Sequence, residues 1–125
     1  MTAPARFGAV IVNFNSAPLA LDAALSFLGD GGACAVIVDN CSTDDSRAYL
    51  AAALAGALAH QPEPPREAAR TPKFAPLDRA KIIVIEAPDN GGFARGCNLG
   101  LERLRADGTY THYLLLNPDA LVAAG

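Results

Sequence analysis

Four stretches of the chain are apolar without polar alternation: residues 7–13 (Phe-Gly-Ala-Val-Ile-Val-Asn), 35–38 (Ala-Val-Ile-Val), 81–85 (Lys-Ile-Ile-Val-Ile) and 111–116 (Thr-His-Tyr-Leu-Leu-Leu). Short aliphatic runs of this kind read as strands buried on both faces. Between them the period changes. Leu21, Ala24, Leu25 and Leu28 fall at i, i+3, i+4 and i+7, and Leu50, Leu54 and Leu58 continue at four-residue steps. Each set marks one apolar helix face. A third helix opens at Gly91-Gly92, runs to about Arg105 and is stopped by Asp107-Gly108. The order is β-α-β-α-β-α-β. It predicts an α/β fold with a Rossmann-like parallel sheet, right-handed crossovers and helices on both faces.

Local chemistry sets the boundaries. Asn15 or Ser16 offers an N-cap for the first helix, Pro18 suits its first turn, and Gly29-Asp30-Gly31-Gly32 ends it. Ser42-Thr43-Asp44-Asp45 reads as a capping box with Ser42 as N-cap. From 60 to 80 the pattern fails, and Pro62, Pro64, Pro65, Pro72 and Pro76 alternate with charges of both signs. Ordinary connections run about 2–6 residues, so this stretch reads as a mobile surface insertion, or else as a lid or partner-docking segment. Gly92, Gly96 and Gly100 are spaced by four and share a helix face, which permits close approach to the sheet. The same helix start has free N–H groups that suit a phosphate.

Composition narrows the classes. The chain has 125 residues, enough for one domain spanning 1–125, and a net charge of −3 with no basic, aromatic-interleaved stripe argues against nucleic acid as a partner. Cys34, Cys41 and Cys97 include no C-x-x-C pair and read as reduced, partly buried thiols. The first residues lack the charged start and apolar stretch of a signal peptide, and the longest apolar run, 49–59, is short of the roughly 20 residues that span a bilayer. These features predict a soluble cytoplasmic chain, with a peripheral position at the inner membrane face as the variant. His60 and His112 have no partner at metal spacing and read as surface or strand residues.

The polar residues gain meaning from the topology. Asn13 and Asn15 follow the first strand, Asp39 and Asn40 the second, Asp89 and Asn90 the third, and Asn117 and Asp119 the fourth. In a parallel sheet these carboxyl ends share one edge, where open α/β folds bind ligands. Each pair also has a plain reading as a turn or cap. Asp44 and Asp45 suit a helix N-terminus. Asp39 is not needed as a cap if Ser42 does the capping, which leaves it to accept from the N–H or hydroxyl of a nucleoside. In Asn117-Pro118-Asp119, one carboxylate, an amide and a diphosphate together would hold Mg²⁺ or Mn²⁺. The alternative there is a β-turn with Pro at its second position.

Four motifs occur in sequence order: Val10-Ile-Val-Asn-Phe-Asn-Ser16, Val36-Ile-Val-Asp-Asn-Cys-Ser-Thr-Asp-Asp45, Asn90-Gly-Gly-Phe-Ala-Arg-Gly-Cys-Asn98 and Leu114-Leu-Leu-Asn-Pro-Asp119. Together they resemble the GT-A fold glycosyltransferases of the inverting family 2, in the rhamnosyltransferase-like branch. The resemblance covers nearly all of the chain outside the Pro-rich stretch. It implies the N-terminal, donor-binding half of a GT-A domain, with a nucleotide-diphospho-sugar as donor and a saccharide or lipid-linked acceptor. It further implies that Asn13, Phe14, Asn15, Asp39, Asn90, Arg95, Asn98 and Asn117 surround the nucleotide, with Asp39 on the base and Asp119 on a divalent cation, Mg²⁺ or Mn²⁺. Asn117 stands where the family's Asp-x-Asp motif has its first acid, and Cys97 rather than Arg precedes Asn98. The family's catalytic base is a carboxylate further downstream, beyond Gly125, as are the acceptor-binding elements; residues 1–125 alone are therefore expected to be inactive.

Two other classes compete with this one. A non-catalytic nucleotide-binding or interaction module on the same scaffold is the alternative, and an uncovered sheet edge would allow two copies to pair. A dinucleotide-dependent oxidoreductase is disfavoured, because Asn13-Phe14-Asn15-Ser16 has none of the glycines its fingerprint needs after the first strand.

Overall fold

The computed structural model describes residues 4–64 and 71–123. Four parallel strands, β1 (Phe7–Asn13), β2 (Cys34–Asp39), β3 (Ile82–Glu86) and β4 (His112–Leu116), form one sheet in the order β3-β2-β1-β4. The connecting helices are α1 (Ala17–Gly29), α2 (Ser46–Leu54) and α3 (Phe93–Asp107). This is the α/β, Rossmann-like arrangement that the alternating periods predict.

The strand residues sort by parity into two cores. Ala9, Ile11, Ala35, Ile37 and Ile82 pack with α1 and α2, while Val10, Val12, Val36 and Val38 pack with Cys97 and Leu104 of α3. Unbroken apolar runs in β1 and β2 follow from this, since both faces of these central strands are covered. Gly96 and Gly100 let α3 approach: a Cβ at Gly96 would lie 2.9 Å from Val12 and one at Gly100 2.4 Å from Val10. Gly92 works differently. It is the N-cap of α3 with φ +92°, and a Cβ there would meet nothing within 4 Å, so its role is conformational rather than packing.

Three expectations are corrected. β4 is not buried on both faces, because it is an edge strand and Tyr113, Leu114 and Leu115 are exposed. An apolar run reports what a strand prefers, whereas its burial depends on which neighbours the topology gives it. Ser42 does not cap α2. The N-cap is Asp45, which makes no side-chain cap bond, and the Ser42 hydroxyl is drawn instead to Asp39. His60 is not a surface residue. Its side chain is buried, with Nε2 2.6 Å from Asp22 Oδ1 of α1 and Nδ1 2.7 Å from the Tyr49 hydroxyl of α2.

The Pro-rich stretch is accordingly tied down where it is described. Phe74, Ala75 and Leu77 pack on the α1–α2 core, and the Ala75 N–H donates to Leu25 O at 3.0 Å. Residues 65–70 of the stretch lie outside the described residues. The three cysteines are free, with Cys34 and Cys97 buried. Among the described residues no helix is long and apolar enough to cross a membrane.

Candidate functional site

The sheet order marks one position on the carboxyl edge. From β1 the chain moves outward through α1 to β2 and through α2 to β3, then returns through α3 on the opposite face to β4 beside β1. The winding therefore reverses between β1 and β4. Ligands of open α/β sheets bind in the crevice outside the carboxyl ends at such a switch point. Phe14 and Asn15 leave β1 there, and Asn117-Pro118-Asp119 leaves the adjacent β4.

Beside this switch point, β1 and β2 end in a dense polar network. Asn13 pairs with Asp39 in register, and Asp39 pairs in turn with Glu86. The Asp39 carboxylate is fully buried and accepts four hydrogen bonds. Oδ1 takes Asn13 Nδ2 at 3.0 Å and the Ser42 hydroxyl at 2.5 Å, and Oδ2 takes the Ser42 N–H at 3.1 Å and Arg47 Nε at 2.8 Å. Two oxygens offer about four lone-pair sites, so this carboxylate is saturated. Burial alone would push its pKa up, but the bonds from Ser42, Arg47 and Asn13 outweigh burial and hold it below the ordinary carboxylate value. The premise that Ser42 capping leaves Asp39 spare therefore fails, since Ser42 is one of its partners.

Asn15 is similarly engaged. It adopts φ +56°, in the left-handed region that Asn tolerates. Its Oδ1 accepts the N–H groups of Thr43 at 2.8 Å and Asp44 at 3.1 Å, and its Nδ2 donates to Thr43 Oγ1 at 3.0 Å. Its own N–H donates to Ser42 Oγ at 3.0 Å. The loop before α2 is thus stitched to the end of β1. At the end of β3, Asn90 Oδ1 accepts from Asn40 Nδ2 at 3.0 Å and from the Gly92 N–H at 3.3 Å, linking β2 to the start of α3.

The remaining candidates are more open. Arg95 donates to Asp89 Oδ1 at 2.6 Å and folds over Gly91, where a Cβ would strike its side chain. Asn98 is exposed on α3. The Ala120 N–H donates to Asn117 O at 3.0 Å, so Asn117-Pro118-Asp119-Ala120 is a turn with Pro at its second position and Asp119 exposed on it. The turn and a ligand role are compatible, because the turn uses the Asn117 carbonyl and leaves the Asp119 carboxylate facing solvent. No three His, Cys, Asp or Glu side chains converge among the described residues. A lone carboxylate such as Asp119 would hold a cation only together with oxygens from a bound ligand.

Sequence reasoning missed Arg47. Besides Asp39, it donates through Nη2 to Ala87 O at 3.1 Å and lies 3.8 Å from Glu86, bridging β2, α2 and the end of β3. A signal was present: a cation in the first turn of a helix opposes the macrodipole and calls for a compensating anion nearby. Compared with known proteins, the chain matches no family model and no curated protein.

Proposed function

We propose that this chain binds a nucleoside diphosphate sugar at the carboxyl edge of its sheet, as the donor-binding part of an inverting glycosyltransferase. The observation that carries the reading is the coincidence of the β1–β4 switch point with the motif residues Phe14, Asn15, Asn117 and Asp119. The motif resemblance supplies the substrate class.

In this reading the residues divide their work. Asn13, Asn15, Asp39, Asn90 and Arg47 hold the strand-end loops in place, and Asp39 acts by positioning Asn13, Ser42 and Arg47 around the donor pocket rather than by an open acceptor of its own. Arg95, Asn98 and Asn117 are the polar groups nearest the donor's diphosphate and sugar. Asp119 would hold Mg²⁺ or Mn²⁺ together with phosphate oxygens, and such a cation offsets charge on the departing diphosphate. In a transfer of this class the acceptor hydroxyl, deprotonated by a general base, attacks the anomeric carbon as the sugar–phosphate bond breaks and the nucleoside diphosphate leaves.

Calorimetric titration with UDP, dTDP and GDP, each with and without Mn²⁺, tests the reading. At least one nucleotide is expected to bind, more tightly with Mn²⁺, and Asp119→Ala to abolish the Mn²⁺ effect. Absence of binding by all three would reject it and leave the strand-end network with a purely structural role.

A further inference from the structure

The buried Asp39 carboxylate has three neutral donors, Asn13 Nδ2, the Ser42 hydroxyl and the Ser42 N–H, and one cationic donor, Arg47 Nε at 2.8 Å. This set suits the ionised form, because a protonated carboxyl would place its own proton where N–H groups already point. A buried carboxylate is costly unless an opposite charge and hydrogen bonds compensate. Among the described residues, Arg47 is the only cation paired with Asp39. Arg47 also reaches further. Its Nη2 donates to Ala87 O at 3.1 Å, while the Ala87 N–H donates to Asp39 O at 2.9 Å. One guanidinium in the first turn of α2 thus ties the end of β2 to the segment leading from β3 into α3. Its planar fork holds the two acceptors in fixed directions.

From this charge a line of contacts runs to the β1–β4 switch point. Ser42 gives its hydroxyl proton to Asp39 Oδ1, and its Oγ accepts the N–H of Asn15 at 3.0 Å, just past the end of β1. Resting on the nucleotide-binding reading above, we propose that Arg47 is a positioning residue for donor binding, whose charge keeps the Asp39 network in the ionised form that holds Asn15 and Ala87 at the carboxyl edge. The electrostatics agree. Burial raises the Asp39 pKa, and the bonds from Ser42 and Arg47 bring it below the ordinary value. The other titratable groups acting on Arg47 are Glu86, exposed at the end of β3, and Cys41 in the loop before α2. Toward α3, Asp89 and Arg95 pair with each other.

Two variants separate charge from bracing. Arg47→Lys keeps the charge and Arg47→Gln keeps a donor without it, while both lose the fork that reaches Ala87. UDP, dTDP and GDP are titrated into each protein by calorimetry between about pH 4 and pH 8, with circular dichroism at each pH to show that the protein is folded. Arg47→Gln is expected to bind nucleotide about tenfold more weakly at pH 7, as loss of one hydrogen bond to a charged group does. Its binding should also fall away at a higher pH than that of wild type, because Asp39 without its cation takes up a proton sooner. Arg47→Lys is expected to keep the acid limb of wild type and most of its affinity. A second readout needs no variant: in ¹⁵N spectra of wild type, the Asn13 side-chain amide and the Ser42, Asn15 and Ala87 amides should titrate with one shared acid midpoint, and separate midpoints would overturn the proposal. Equal losses in the two variants with the acid limb unmoved would reduce Arg47 to a brace and overturn it too, as would wild-type binding by Arg47→Gln across the range; the nucleotide site stands in both cases. If wild type binds no nucleotide, the site reading itself fails and the positioning role falls with it.

Discussion

Replacing Gly100 with alanine tests how closely α3 sits on the sheet, and with it the register that sets the start of α3 at the carboxyl edge. The new Cβ would lie 2.4 Å from Val10 Cγ1 and 2.9 Å from Cγ2. Carbon atoms pack at about 3.5–4.0 Å, so the closer contact is short by more than about 1 Å. Val10 cannot yield: it is fully buried, paired with Val36 on one side and Leu115 on the other, and stiff at χ1. The helix must lift instead, loosening Gly96 from Val12 as well. Overpacking costs about 1–3 kcal/mol, and a clash between two such rigid elements belongs at the upper end. Alanine returns about 1 kcal/mol through helix propensity. The net expectation is a loss of roughly 2 kcal/mol, read as a lower urea midpoint at unchanged m-value by far-UV circular dichroism. Val10→Ala removes both clashing methyls, so the double variant should be less destabilised than the sum of the singles by about 1 kcal/mol or more. A Gly100→Ala protein as stable as wild type, or more stable, would refute the close seating of α3.

Other expectations follow from single contacts. Ser46 is buried at the start of α2 and its hydroxyl has no hydrogen-bond partner among the described residues, so Ser46→Ala should leave stability unchanged or raise it by up to about 1 kcal/mol in thermal melts. His60→Ala removes the buried ring between Asp22 and Tyr49 and leaves the Asp22 carboxylate with the Glu63 N–H at 3.4 Å, so it should destabilise by about 1–3 kcal/mol in urea unfolding; no loss of stability would mean that the Asp22–His60–Tyr49 contacts are not made. Asp39 has its folded-state pKa held below the unfolded value of about 3.9, so its stabilisation is full above that pH and is lost as pH falls through the lower folded value. The stability gap between wild type and Asp39→Asn should therefore be widest above about pH 4 and shrink progressively as pH falls below it, and a gap independent of pH would contradict the ion-paired description.

The strands and helices were legible in the sequence because they follow from local periodicity, and β1, α1 and α3 lie close to the spans that their apolar spacing and glycines imply. The exposure of β4 was not legible, because a Tyr-Leu-Leu-Leu run reads the same at an edge as at the centre and the order β3-β2-β1-β4 is set by crossovers. The His60 contacts reach back across the chain to Tyr49 and Asp22, beyond any local window. Ser42 illustrates competition. Its spacing to Asp45 suits a capping box, yet the Asp39 carboxylate three residues earlier takes its hydroxyl and its N–H. The residue types at the candidate site were legible as a group, since Asn and Asp after each strand must gather on one edge. Which of them would be spent on one another was not, because that depends on the positive φ of Asn15 and the reach of Arg47.

A nucleotide site at the β1–β4 switch point can be mapped by amide chemical-shift changes in ¹⁵N-labelled protein titrated with UDP, dTDP and GDP in the presence of Mg²⁺. The changes are expected to gather at Phe14 and Asn15, at the Gly91–Arg95 start of α3, and at Asn117 and Asp119. Saturable changes confined to the amino end of the sheet, around Arg6, Ala33 and Thr109, or no changes with any of the three nucleotides, would contradict it.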